Sequence, residues 1–75
     1  MGKLDNVSPR DLIRIVESIG FQQTRQTGSH LRFVHSDGRK ATIPLHSGKT
    51  IGIGLLIKII KKDLRMTREE FEKLL

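Results

Sequence analysis

Two runs of alternating residues, His30 to His35 and Lys40 to Pro44, flank Ser36-Asp37-Gly38, and few arrangements satisfy both. Alternation puts Leu31 and Phe33 on one face of a strand and His30, Arg32 and Val34 on the other. The loop length decides what they meet. If Asp37-Gly38 alone make the turn, Phe33 faces Thr42 and Leu31 faces Pro44, which mixes apolar and polar neighbours. A three-residue loop with Gly38 left-handed pairs Leu31 with Ile43 and Phe33 with Ala41 instead. That register builds one apolar face, and a slip of one residue would destroy it. It also sets His30 beside Pro44, Arg32 beside Thr42 and Val34 beside Lys40.

The segments around this hairpin carry their own signals. In Val7-Ser8-Pro9-Arg10-Asp11-Leu12, Ser8 can cap a helix, Pro9 suits its first position and Asp11 completes a capping box. Leu12, Ile15, Val16 and Ile19 follow the helical period and Gly20 supplies a stop, so a helix is predicted over 9–19, after a few loose residues. Phe21 to Thr27 reads as a strand without apolar alternation, and therefore as an exposed edge or one whose outer face meets something polar. Its register is open, and with it the direction in which Arg25 faces. Gly28-Ser29 turns the chain into the next strand.

After Pro44, a loop rich in Gly and Ser leads to a second helix over 53–64. Its apolar stripe is Ile53, Leu56, Ile59 and Ile60, with Lys58, Lys61, Lys62 and Arg65 mostly on the other side. Thr67 and Glu70 repeat the capping box and open a short third helix. The predicted class is α+β: order α-β-β-β-α with a short extra C-terminal helix, and a three-stranded antiparallel sheet. Helices on one face would leave His30, Arg32, Lys40 and Thr42 on an open face.

Seventy-five residues allow one domain, taken as 1–75, near the lower limit for an unaided core. No cysteine is present, which excludes disulfides, thiol chemistry and cysteine-bound zinc. No apolar run reaches the ~18 residues of a membrane span, and the first residues lack a signal peptide's apolar centre, so a soluble, cytoplasmic protein is expected. Fourteen Lys and Arg against eight Asp and Glu give a charge of +6, a field that draws polyanions. With no Trp or Tyr and three Phe, a platform for stacking unpaired bases is not expected; contacts to phosphates, sugars or duplex shape fit better.

His30 is the leading candidate for chemistry. Gly28 would let a backbone approach closely, Ser29 offers a hydroxyl, and Arg25, Arg32 and Lys40 can crowd the same side. Imidazole accepts a proton near neutrality, and neighbouring cations favour its neutral form. His35, beside the hairpin turn, reads as a plain surface residue, and His46 either contacts a phosphate or does nothing. His30 and His35 lie on opposite faces and no His-x-x-x-His helix pair occurs, so no metal or other cofactor is expected. Lys49 with Lys58, Lys61 and Lys62 could follow a phosphate backbone, or simply form a solvated helix face. Gly48-Lys49-Thr50 lacks the upstream glycine of a P-loop.

Taken together, Gly20-Phe21, Gly28-Ser29-His30, Leu31-Arg32-Phe33, Asp37-Gly38, Ile43-Pro44 with His46, and Thr67 to Phe71 resemble the HicA family of toxin mRNA interferases. The resemblance runs from Leu12 onward. It implies a fold like a double-stranded-RNA-binding domain, metal-independent cleavage of mRNA with His30 as the catalytic histidine, and a HicB-type antitoxin partner that covers the active face. One departure stands out. The family often has Gly-Thr-Leu-Arg near the start of helix 2, where this chain has Gly54-Leu55-Leu56-Ile57. That apolar patch could serve antitoxin or self-association rather than RNA. In the implied reaction His30 is general base on an RNA 2′-hydroxyl, Arg25, Arg32 or Lys40 stabilise phosphoryl charge, and Gly28, Ser29 and Lys49 contact RNA. The leaving-group acid is open between water and a lysine. The rival readings are a non-catalytic double-stranded-RNA-binding module and a basic protein that binds an acidic protein partner.

Overall fold

Helix α1 (Pro9–Ser18) starts on the reciprocal cap that its sequence announces. The Asp11 N–H donates to Ser8 Oγ at 3.1 Å and the Ser8 N–H to Asp11 Oδ2 at 3.2 Å. The backbone bond from Ser8, then its hydroxyl, hold the Asp11 carboxyl below its usual pKa. Ile19 caps the other end, one residue earlier than periodicity suggests. There the Gly20 N–H donates to Glu17 O and the Phe21 N–H to Val16 O, with Gly20 at φ +103°. This is the Schellman arrangement, which satisfies two otherwise orphaned carbonyls.

The structure, a computed structural model, describes residues 3–45 and 49–75. The stretch before α1 is not loose. Lys3–Asn6 form a 3₁₀ turn, Leu4 and Val7 are buried, and the Ile51 N–H donates to Val7 O at 2.8 Å. Two apolar side chains in the core hold that segment down. Periodicity misses them because a single 3₁₀ turn is too short to display any.

Strands β1 (Gln22–Thr27), β2 (His30–Val34) and β3 (Lys40–Pro44) form one antiparallel sheet in sequence order. The β2–β3 register is the one that a three-residue loop dictates: Leu31 opposite Ile43, Phe33 opposite Ala41, His30 opposite Pro44. The His35 N–H donates to Arg39 O to close the loop, and Gly38 has φ +99°. Leu31, Phe33, Ala41 and Ile43 are all buried and join Leu12, Ile15 and Val16 of α1 in the core. Strand β1 is exposed along its whole length, so it is an exposed edge. A bulge between Gln23 and Arg25 shifts its register by one residue.

Helix α2 (Ile53–Lys58) runs without interruption into a π-helical turn, Ile59–Asp63. Leu56, Ile59 and Ile60 are buried as the apolar stripe requires, but Ile53, at the first turn, is 43% exposed. Leu64 caps the π turn and Arg65 takes the left-handed conformation, φ +54°, so Arg65 lies past the helix rather than on it. Helix α3 (Arg68–Glu72) carries both bonds of the predicted Thr67–Glu70 box and buries Phe71.

His35 is not a plain surface residue. Its Nε2 lies 3.0 Å from Ile19 O, its Nδ1 lies 3.0 Å from the Asp37 N–H, and its ring meets Phe21 edge-on at 5.1 Å. The tautomer with the proton on Nε2 satisfies both polar contacts at once. Arg39 completes this junction: Nε donates to Asp37 Oδ2 at 2.8 Å, NH1 donates to Leu64 O at 2.6 Å, and the guanidinium lies over the Phe21 ring. The backbone N–H of Arg39, ahead of its side chain, keeps the Asp37 carboxyl below its ordinary pKa. The β2–β3 loop is thereby bonded to the end of α1 and to the cap of the π turn.

Candidate functional site

Gly28 and Ser29 form a two-residue turn closed by the pair Thr27 and His30. Gly28 has φ +58° while Ser29 keeps negative φ, the combination that a type II′ hairpin turn uses. The space where a Gly28 side chain would stand is open, so glycine is needed here for its φ and not for a close approach. Gly28→Ala is therefore expected to lower the unfolding free energy by about 1–2 kcal/mol. A D-alanine at the same position, whose preferred φ is positive, should stay within about 0.5 kcal/mol of the parent in the same urea titration. Equal losses from both would mean that neighbouring atoms, not φ, demand glycine.

The Ser29 carbonyl accepts from the Leu45 N–H at 2.6 Å, which anchors the turn to the end of β3. His30 is thus held at the first position of a strand paired on both sides, with its side chain exposed. No protein hydrogen bond engages its ring among the described residues.

Along the same face, the next row is Arg25–Arg32–Thr42. The β1 bulge settles which way Arg25 faces: it stands directly opposite Arg32. Cross-strand neighbours lie about 5 Å apart and same-face residues along a strand about 7 Å apart. Two like charges directly opposite are unfavourable unless a counter-charge joins them. Among the described residues neither arginine is ion-paired; the pairs found involve Arg14, His35, Arg39 and Arg68. The sheet therefore presents a positively charged row one step from His30.

Lys40 pairs with Val34, two rows from His30, which is roughly 13 Å at ~3.3 Å per residue. It shares the face without joining the His30 row. Lys49 is exposed in the segment before α2, and His46 lies outside the described residues.

The face is not fully open. Past β3 the second helix rises beside it, and a groove of about 320 Å³ is lined by His30, Thr42 and Pro44 from the sheet and by Leu55, Lys58, Ile59 and Asp63 from the helix. Ile59 and Pro44 are both buried, so apolar burial at the β3 edge draws the helix over. Both residues of the departure at helix 2 now have places. Ile57 packs against the core, whereas Leu55 stands 46% exposed at the groove. Lys58 and Asp63 are the groove residues that periodicity left unassigned to His30. Only the packing of α2 and its π-helical turn beside β3 brings them there.

A three-stranded sheet in the order α-β-β-β-α, with a histidine and two arginines that are unpaired among the described residues on one face, defines a small α+β domain. The family model for HicA toxin of bacterial toxin–antitoxin systems matches residues 9–64, and the chain belongs to this family. The match covers α1, the whole sheet and the second helix, and ends before α3. No curated protein matches the sequence significantly. Among the described residues no helix is long and apolar enough to cross a membrane.

Proposed function

We propose that this single domain is a toxin of a type II toxin–antitoxin pair that acts in the cytoplasm as a metal-independent mRNA interferase. His30 is its catalytic residue. The observation that carries the reading is the placement of His30 one row from the unpaired Arg25–Arg32 pair. His30 takes the proton of an RNA 2′-hydroxyl, whose oxygen attacks the adjacent phosphorus. Arg25 and Arg32 then meet the charge that gathers on the phosphoryl oxygens, where fixed cations act most strongly. A 2′,3′-cyclic phosphate is the natural product, and DNA, without the 2′-hydroxyl, resists. Gly28 and Ser29 bring the turn's backbone and hydroxyl to the RNA, and Lys40 and Lys49 extend phosphate contact away from the reacting row.

A HicB-type antitoxin neutralises the toxin by covering this face, so its contact surface must be acidic enough to answer Arg25 and Arg32. The test is incubation of purified protein with a long mRNA in EDTA, beside His30→Ala. Cleavage by the wild type alone, leaving cyclic phosphate ends, supports the reading. Intact RNA in both lanes with binding retained would replace it with a non-catalytic RNA-binding module. Equal cleavage in both lanes would remove His30 from the mechanism.

A further inference from the structure

The reaction proposed above needs a second proton transfer. As the bond from phosphorus to the 5′-oxygen breaks, that oxygen leaves as an alkoxide unless an acid protonates it. The groove geometry points to Lys58 as that acid, an inference that rests on His30 being the base. His30 projects from the sheet wall of the groove and Lys58 belongs to the helical wall. In-line displacement places the attacking and leaving oxygens on opposite sides of phosphorus, so base and acid must come from opposite sides too.

Among the described residues, the other charged groups near His30 are excluded by their chemistry or position. Arg25 and Arg32 share the sheet face with His30, and a guanidinium does not release its proton. Lys40 lies two rows away beside Val34, and Lys49 does not line the groove. Asp63 does line it, but a carboxylate only accepts. Lys58 is exposed, carries a proton it can donate, and has no ion pair among the described residues. The groove, at about 320 Å³, is near the lower end of the roughly 300–1,000 Å³ typical of small-ligand sites, enough for the sugar and phosphate at the scissile bond.

The balance is complete. The 2′-oxygen gives its proton to His30 and forms a bond to phosphorus; the bond from phosphorus to the 5′-oxygen breaks, and that oxygen takes a proton from Lys58. One strand ends in a 2′,3′-cyclic phosphate and the other in a 5′-hydroxyl. Exchange with water returns both side chains to their starting forms.

A substrate with sulfur in place of the bridging 5′-oxygen separates the two roles, because a thiolate leaves without protonation. Lys58→Met is expected to cleave ordinary RNA about 10²- to 10⁴-fold more slowly than wild type and the 5′-sulfur substrate at close to the wild-type rate. Lys58→Arg, which keeps the charge but not the labile proton, should share the defect on ordinary RNA. Lys58→Met equally slow on both substrates, or Lys58→Arg fully active, would make Lys58 a fixed charge and overturn the assignment. So would a wild-type rate for Lys58→Met. His30→Ala should be impaired on both substrates; if it cleaves both normally, the base reading has failed and the Lys58 result stands apart from it. Because Lys58 is exposed, its replacement should leave thermal unfolding unchanged.

Discussion

His30→Ala should slow RNA cleavage about 10²- to 10⁴-fold and leave the unfolding free energy within about 0.5 kcal/mol of the parent, whereas His35→Ala should do the reverse. The two histidines are five residues apart, and their surroundings differ in every respect that matters. The His30 ring is exposed and makes no hydrogen bond to the described protein, so truncating it costs no packing and strands no partner. What disappears is a proton acceptor beside the arginines, and a general base contributes roughly two to four orders of magnitude. If Arg25, Arg32, Lys40 and Lys49 bind RNA as proposed, its affinity should persist with an unchanged salt slope.

The His35 side chain is 18% exposed and bonds to Ile19 O and to the Asp37 N–H. Losing two such bonds at ~1 kcal/mol each, and the edge contact to Phe21, should cost about 2–3 kcal/mol. A domain of this length has only roughly 4–11 kcal/mol in total. Urea titrations of both variants beside cleavage assays below the His35→Ala transition would check the contrast. Loss of activity in folded His35→Ala as severe as in His30→Ala would mean that the junction, and not the imidazole at the turn, controls the chemistry.

The contrast also shows how far the residues could be read unaided. The β2–β3 register was legible because only one loop length puts Leu31, Phe33, Ala41 and Ile43 on a common face, and the structure has that register. Both capping boxes were legible because their partners lie three residues apart. His35 and Arg39 were not, since each bonds to a backbone carbonyl far along the chain, Ile19 O and Leu64 O. A carbonyl belongs to every residue type, so nothing in the sequence marks the one that will be met. Strand β1 has no apolar alternation, and a bulge leaves no trace in a strand that buries nothing. The His30 turn could be found from its glycine and its cations. The opposite wall of the groove could not, because the packing of the π-helical turn beside β3 depends on how Ile59 and Pro44 are both buried.

Gly20→Ala should be among the most damaging small substitutions in this fold, at about 2–4 kcal/mol. Two separate penalties meet there. Gly20 has φ +103°, where an L-residue is strained by about 1–2 kcal/mol. A Cβ at that position would also stand 2.9 Å from His35 Nε2, closer than non-bonded atoms tolerate. The imidazole cannot yield freely, because Nε2 is committed to Ile19 O at 3.0 Å, so relieving the clash breaks that bond and loosens the ring from Phe21. The two penalties can be separated in a double-mutant cycle. With His35→Ala already present the clash has no partner, and adding Gly20→Ala should cost only the backbone strain, which leaves a coupling of about 1–2 kcal/mol between the sites. A coupling near zero would show that the helix stop alone demands glycine. The expected coupling would show that the stop of α1 and the β2–β3 loop are one packed unit, set at the opposite end of β2 from His30.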